Sequence, residues 1–282
     1  MRQSRSLPQR RAARQRGGAR PLIVDTHVHV LDPARFPYPQ ATRGYRPRPE
    51  ETGTLPDLLA LLDAHDVAGA VAVAASVYGS DNSSLHALHA AAPGRLRLVL
   101  ACDPDSPDTL AAEAARPGVV GIRLNLTDDR RLDDPARLGA LLDVAQEAGL
   151  VVCLQAAPAT AAGLLAGRDR LRVVLDHLGR PDLAGGAAAL RDLARRPRTW
   201  LKLSGGFRLA PGLWPEPAPE HRALVATWPA ERLIWGSDWP FINLARPRPA
   251  YGDCLSWAAA LIGARAEVDP GANARALFGW RP

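Results

Sequence analysis

The chain has 282 residues, 47% of them hydrophobic, and a formal net charge of +6. That length exceeds a minimal module and suits one α/β barrel of roughly 250 residues with extensions. The charge invites a nucleic-acid partner, but its placement argues against one. Residues 1–20 carry seven Arg and no acid, and the other 28 basic residues face 29 acids, so the body is near neutral.

Taken in order, the Arg-rich stretch 1–20 has no apolar run and reads as a disordered leader, or as the product of a start codon placed too early, rather than a secretory signal. A basic arm for nucleic acid is its competing use. The first strand candidate, 22–30, contains Asp25-Thr26-His27-Val28-His29. Side chains two apart share a strand face, so Asp25, His27 and His29 are expected to project together. Two imidazoles beside a carboxylate are costly in an apolar core unless they bind something, which points to a metal or oxyanion site. Further strand-like runs follow at 70–75, 96–101, 119–125, 150–155, 171–176, 199–204 and 232–236. Helical patterns lie between them at 55–65, 82–91, 107–116, 134–148, 159–166, 184–195, 219–227 and 254–263, with a last one at 271–278.

Eight strands each followed by a helix predict a single (β/α)8 TIM barrel of the α/β class over 21–282. A doubly wound sheet would want a Gly-rich turn after its first strand, where this chain has His27 and His29. No stretch approaches the ~20 apolar residues of a membrane span. Cys102, Cys153 and Cys254 are scattered and in no metal spacing, which suits a reducing cytoplasm. Two long loops, 31–54 and 205–218, break the plain repeat and are expected to rise over the catalytic mouth.

In a barrel of this kind, polar residues at the C-terminal ends of strands are the site candidates. They are His27 and His29; Ser76 and Tyr78; Arg123, with Arg130 in its loop; Gln155; His177 and Arg180; Lys202, Ser204 and Arg208; and Asp238. Asp238 lies between Trp235 and Trp239 and is the best-placed general base for a water; its alternative role is to cap a following helix. Lys202 is the one lysine of the chain, which hints at a compact ammonium that guanidinium cannot replace. Arg123, Arg130 and Arg208 are placed to grip a substrate carboxylate. His65, His86, His89 and His221 read as surface or packing residues.

Three segments together resemble the amidohydrolase superfamily: Asp25-Thr26-His27-Val28-His29, Asp176-His177-Leu178-Gly179-Arg180-Pro181 and Gly236-Ser237-Asp238-Trp239-Pro240. Within it, Ser76–Asn82, Gly121–Asn125 and Trp200–Gly205 are similar to the branch of 2-pyrone-4,6-dicarboxylate, sugar and muconolactone lactonases. The resemblance implies that His27, His29 and His177 line a lactone carbonyl and that Asp238 activates water. It further implies that Arg123, Arg130 and Arg208 hold carboxylates, and that Tyr45, Ser76 and Asn243 touch substrate. Phe241 stands where the dicarboxylate lactonases usually carry a His. With Gln at 155 and no bridging residue, two metals are not expected; one Zn or Mn ion on His27, His29, His177 and Asp238 is the cofactor the branch allows, beside members that use none. The expected function is hydrolysis of a small carboxylated lactone, with Lys202 and Ser204 near the carbonyl. A Zn-dependent decarboxylase is the second reading, and a nucleic-acid-associated protein using the tail is the third. A small-molecule substrate without a membrane is expected, with a homo-oligomer left open.

Overall fold

The structure, a computed structural model, describes residues 22–40, 45–127, 132, 134–244 and 247–280. The predicted Arg-rich tail and Arg130 lie outside them. Eight parallel strands run in sequence order: β1 Ile23–Val28, β2 Val67–Val73, β3 Leu96–Ala101, β4 Val119–Asn125, β5 Val151–Gln155, β6 Arg172–Leu175, β7 Thr199–Leu203 and β8 Leu233–Trp235. Their Val, Ile and Leu content reads as near-continuous apolar runs because both faces are covered. Helices follow as α1 Leu55–Ala64, α2 Ser83–Ala91, α3 Pro107–Ala114, α4 Pro135–Glu147, α5 Pro158–Leu165, α6 Gly186–Ala194, α7 Gly206–Leu209, α8 Pro219–Thr227, α9 Tyr251–Ile262 and α10 Pro270–Phe278. Pro opens α3, α4, α5, α8 and α10. Its fixed φ suits a helix start, and the amide hydrogen it lacks would go unpaired there anyway.

One face of the strands packs against this helical ring. Val24, Val71, Val73, Val99, Val151, Cys153, Val174 and Ile234 form a second cluster with Ala274, Leu277, Phe278 and Trp280. That cluster fills the barrel interior, and α10 seals its N-terminal end. The polar residues therefore collect at the opposite, C-terminal mouth.

Closure between β8 and β1 is made differently from the other seven pairings. The contacts there are Asp238 N–H to His27 O (2.9 Å), His29 N–H to Trp239 O (2.7 Å) and Thr26 Oγ1 to Trp235 O (2.6 Å). Asp25 adds a carboxylate staple. Its Oδ1 accepts from His27 N (3.0 Å) and Ser237 N (2.9 Å), and its Oδ2 accepts from Tyr251 OH (2.8 Å). The expectation that Asp25 projects with the two imidazoles is corrected here. The β1–β2 register shifts between Asp25 and Val28, and such an irregularity breaks strict alternation. Asp25 is turned to Tyr251 on α9, while His27 and His29 face the mouth.

Two boundaries differ from the sequence reading. β2 begins at Val67, not 70, because Gly69 tolerates the Trp280 ring against its backbone; a Cβ there would stand 2.2 Å from that ring. The loop after β7 contains the one-turn helix α7, which carries Arg208.

Candidate active site

His27 and His29 leave β1 fully buried, with their Nε2 atoms 3.3 Å apart. Asp238 follows β8 with φ +66, a left-handed conformation that a non-glycine residue adopts at some cost. Its Oδ1 lies 3.7 Å from His27 Nε2 and 3.8 Å from His29 Nε2. Both gaps are too long for a direct hydrogen bond and fit one bridging water. Its Oδ2 accepts from Arg208 Nε at 2.7 Å, and Arg208 Nη2 donates to Ile242 O at 2.9 Å. The helix-cap alternative for Asp238 therefore falls away; the next helix starts only at Tyr251.

Burial alone would raise Asp238, but the Arg208 guanidinium at 2.7 Å is the largest opposing influence and the carboxyl is held far below its ordinary value. Burial is also the main influence on His29, which is lowered to about 3 with help from His27 and Arg123. His177 is lowered to about 3 by burial despite Asp238. Both rings are thus neutral at pH 7.

His177 sits on a backbone that the sequence did not foretell. His177, Leu178, Gly179 and Arg180 have φ of 52, 53, 69 and 54, a turn of left-handed helix. Each non-glycine residue costs roughly 1–2 kcal/mol there, and such strain gathers at functional sites. The His177 ring lies with its centroid 5.1 Å from that of His27, tilted by 44°, and its Nδ1 meets Ser204 Oγ at 3.0 Å.

Lys202 is fully buried. Its Nζ lies 2.7 Å from Asp176 Oδ1 and 3.1 Å from His27 Nδ1. The ammonium is therefore behind the His27 ring, on the side away from Asp238, rather than at a substrate carbonyl. Burial opposes its charge, yet Asp176 raises it; Asp176 in turn lies well below its usual range because Lys202 and His27 overcome its own burial. Asp176 was missed as a site residue in the sequence, since an acid next to a His gives no sign of which one faces the interior.

The remaining candidates divide. Arg123 Nη1 donates to Ser76 Oγ (2.9 Å) and Ala74 O (3.1 Å), and its charge reaches His29. Gln155 Nε2 donates to Thr127 Oγ1 (2.8 Å) at the ends of β4 and β5. Two expectations are corrected. Tyr78 packs in a small apolar cluster with Tyr38, and its hydroxyl donates to Phe36 O at 3.0 Å. Arg180 is turned to Asp182, with contacts of 2.9 and 2.8 Å.

Glu51 was also missed, and nothing in Pro49-Glu50-Glu51 marks it. It is fully buried and ties the loop after β1 to the loop after β8. It accepts from Tyr45 OH (2.7 Å), Arg48 N (2.8 Å), Arg48 Nη2 (2.8 Å) and Asn243 N (2.9 Å). Both Tyr45 and Asn243 thus depend on one carboxylate for their position. Burial would raise Glu51, but the Arg48 and Tyr45 contacts prevail and lower it from 4.5 to about 2. A carboxyl depressed on folding stabilises fully above about 4.5 and loses that contribution as pH falls toward 2. Glu51→Gln is expected to lose about 1–3 kcal/mol at pH 7, and to lose less further stability than wild type between pH 4.5 and 2. Urea unfolding at several pH values checks this; parallel acid profiles would contradict it.

Three of the four residues expected to hold a metal come together. His27, His29 and Asp238 offer donor atoms that all lie within 4.8 Å of one another. That spacing is within the span of ligands at about 2.0–2.2 Å from one ion, but the Lys202 ammonium 3.1 Å from His27 Nδ1 works against a free lone pair on His27 Nε2. His177, expected as a fourth ligand, stands outside this group.

A parallel barrel with imidazoles, carboxylates and guanidinium groups gathered at the strand C-termini defines a (β/α)8-barrel enzyme. Comparison with known proteins gives its family. Residues 24–279 match the Amidohydrolase family. A 4-sulfomuconolactone hydrolase from Rhizobium radiobacter is 30% identical over 249 residues, 82% of this chain and 81% of that protein. An L-fucono-1,5-lactonase from Burkholderia ambifaria is 35% identical over 173 residues, 54% of this chain but only 57% of the relative's length. The crystal structure of a candidate 2-pyrone-4,6-dicarboxylic acid hydrolase from Pseudomonas putida shares 31% identity and a TM-score of 0.73, covering 94% of this chain and all of that one. The chain belongs to the amidohydrolase family and is a hydrolase. Among the described residues, no helix is long and apolar enough to cross a membrane.

Proposed function

We propose that this hydrolase opens the ring ester of a small lactone that carries a carboxylate. The observation that carries the reading is Asp238 Oδ1, one water's width from both His27 and His29. The similar proteins named for lactones supply the substrate class.

In this reading a water beside Asp238 and the imidazoles gives a proton to Asp238 and adds to the lactone carbonyl; the tetrahedral adduct then collapses with cleavage of the ring C–O bond, and Asp238 returns the proton to the leaving oxygen. His27 and His177 face the oxygen that becomes negative; one such donor is typically worth 10²–10³ in rate, in order of magnitude. Arg123 and Arg208 flank the pair and take the substrate carboxylate, with Arg130 as a further candidate. Ser204 orients His177. Tyr45, Ser76, Gln155 and Asn243 line the approach. Were an ion to displace the proton on His27 Nε2, His27, His29 and Asp238 would be the residues to hold it, and it would supply Lewis acidity at the same carbonyl. Cys102, Cys153 and Cys254 are free and buried, which supports a reducing cytoplasm as its location.

A panel of paired lactones, with and without a carboxylate, tests this by acid release in the presence and absence of chelator. Loss of a partner to a guanidinium in a site of this kind costs about 2–5 kcal/mol, so the carboxylated member should be favoured at least thirtyfold or so in kcat/KM. Equal turnover within each pair would remove the carboxylate from the proposal.

A further inference from the structure

The contacts around Lys202 are mutually consistent with one placement of the protons on the two β1 imidazoles. An ammonium has three N–H donors and no acceptor. Those of Lys202 point to Asp176 Oδ1 (2.7 Å), His27 Nδ1 (3.1 Å) and, weakly, Cys153 Sγ (3.9 Å). His27 Nδ1 must therefore accept, so the ring proton of His27 is on Nε2. His29 runs the other way. Its Nδ1 lies 2.8 Å from Val73 O, a carbonyl that only accepts, so Nδ1 carries the proton and Nε2 is bare. His27 Nε2–H then donates to His29 Nε2 at 3.3 Å. The chain Lys202, His27, His29, Val73 is consistent at each link.

An ion on His27, His29 and Asp238 needs a lone pair on both Nε2 atoms, and only His29 has one. For His27 to ligate, its proton must move to Nδ1. That nitrogen already receives the Lys202 hydrogen bond, and the nearest acceptor for a proton there, Asp176 Oδ1, is 3.7 Å away. A fixed positive charge behind the ring opposes a cation in front of it as well.

We propose that Lys202 is a positioning residue that holds His27 as an Nε2–H donor, shared with His29 Nε2 in the resting site and passed to the reacting oxygen when that oxygen takes the place of the 3.3 Å contact, and so keeps divalent cations out of the site. This stands whichever ring ester the site opens. It also explains the one lysine in a chain whose other 34 basic residues are Arg: a planar guanidinium does not offer one compact charge shared between a carboxylate and an imidazole. Without Lys202, Asp176 is free to accept from His27 Nδ1–H, the carboxylate–histidine–metal arrangement that strengthens a ligand.

Two variants test the proposal. Lys202→Met leaves Asp176 without its counter-ion and risks folding; Lys202→Met with Asp176→Asn removes the pair as neutral groups and keeps an acceptor beside Nδ1. Long-range ¹H–¹⁵N NMR reads the His27 tautomer, and Zn²⁺ is titrated against a chromophoric chelator. Wild type should show His27 protonated on Nε2 and weak Zn²⁺ binding. The folded variants should move the proton to Nδ1 and bind Zn²⁺ about 10–100-fold more tightly, the range of such supporting contacts. A wild-type His27 protonated on Nδ1, or a folded double variant that binds Zn²⁺ no better than wild type, overturns the proposal.

Discussion

Asp238→Asn is expected to lower kcat by about 10²–10⁴-fold, the range for loss of a positioned base, while KM stays level or falls. Asn keeps the shape and can still accept from Arg208, so the local backbone has no reason to move. What it loses is the ability to take a proton from water. Arg208 also loses the negative partner at 2.7 Å and becomes more attractive to a substrate carboxylate, hence the direction of KM. Steady-state kinetics on the best lactone of the panel measure both. A variant with kcat within about tenfold of wild type would take Asp238 out of the base role, because a residue acting only in binding changes KM instead.

The second large effect concerns stability. Asp25→Ala is expected to destabilise the barrel by about 3–6 kcal/mol. The carboxylate satisfies three buried donors, His27 N–H, Ser237 N–H and the Tyr251 hydroxyl, and each buried group left unpaired costs roughly 1–3 kcal/mol. Against a typical total of about 5–15 kcal/mol, that is enough to leave much of the protein unfolded on modest warming. Tyr251→Phe removes a single contact and should cost about 1–2 kcal/mol. Urea midpoints with an unchanged m-value give the comparison. If Asp25→Ala were no worse than Tyr251→Phe, the carboxylate would not be the closure staple between β8 and β1.

The barrel was legible because its strands and helices follow two simple periods in strict alternation, and because Pro marks so many helix starts. The mouth was legible for the same reason: once strand ends are located, His27, His29, Arg123, His177, Ser204, Arg208 and Asp238 fall on one end. What escaped were features set by long-range contacts or by backbone shape. Asp25 shares the parity of His27 and His29 in the sequence, yet an irregular register in β1 sends it outward. Lys202 looked like a charge for the carbonyl, but its direction is set by Asp176, which packing alone selects. Glu51 lies in a Pro-rich loop, and its contact across the mouth, to Asn243 N, is 192 residues away in the chain. Tyr78 and Arg180 sit at strand ends as the rule requires, but local turns point them at Phe36 and Asp182.

The central claim is that the site adds water across a ring ester. One measurement addresses it most directly: mass analysis of product formed from a carboxylated lactone in ¹⁸O-enriched water, with the headspace monitored for CO₂. The expected result is an open-chain acid with one ¹⁸O in the new carboxylate and no CO₂ above background. Release of CO₂ from an intact ring, without label in the product, would contradict the account and assign the barrel to decarboxylation.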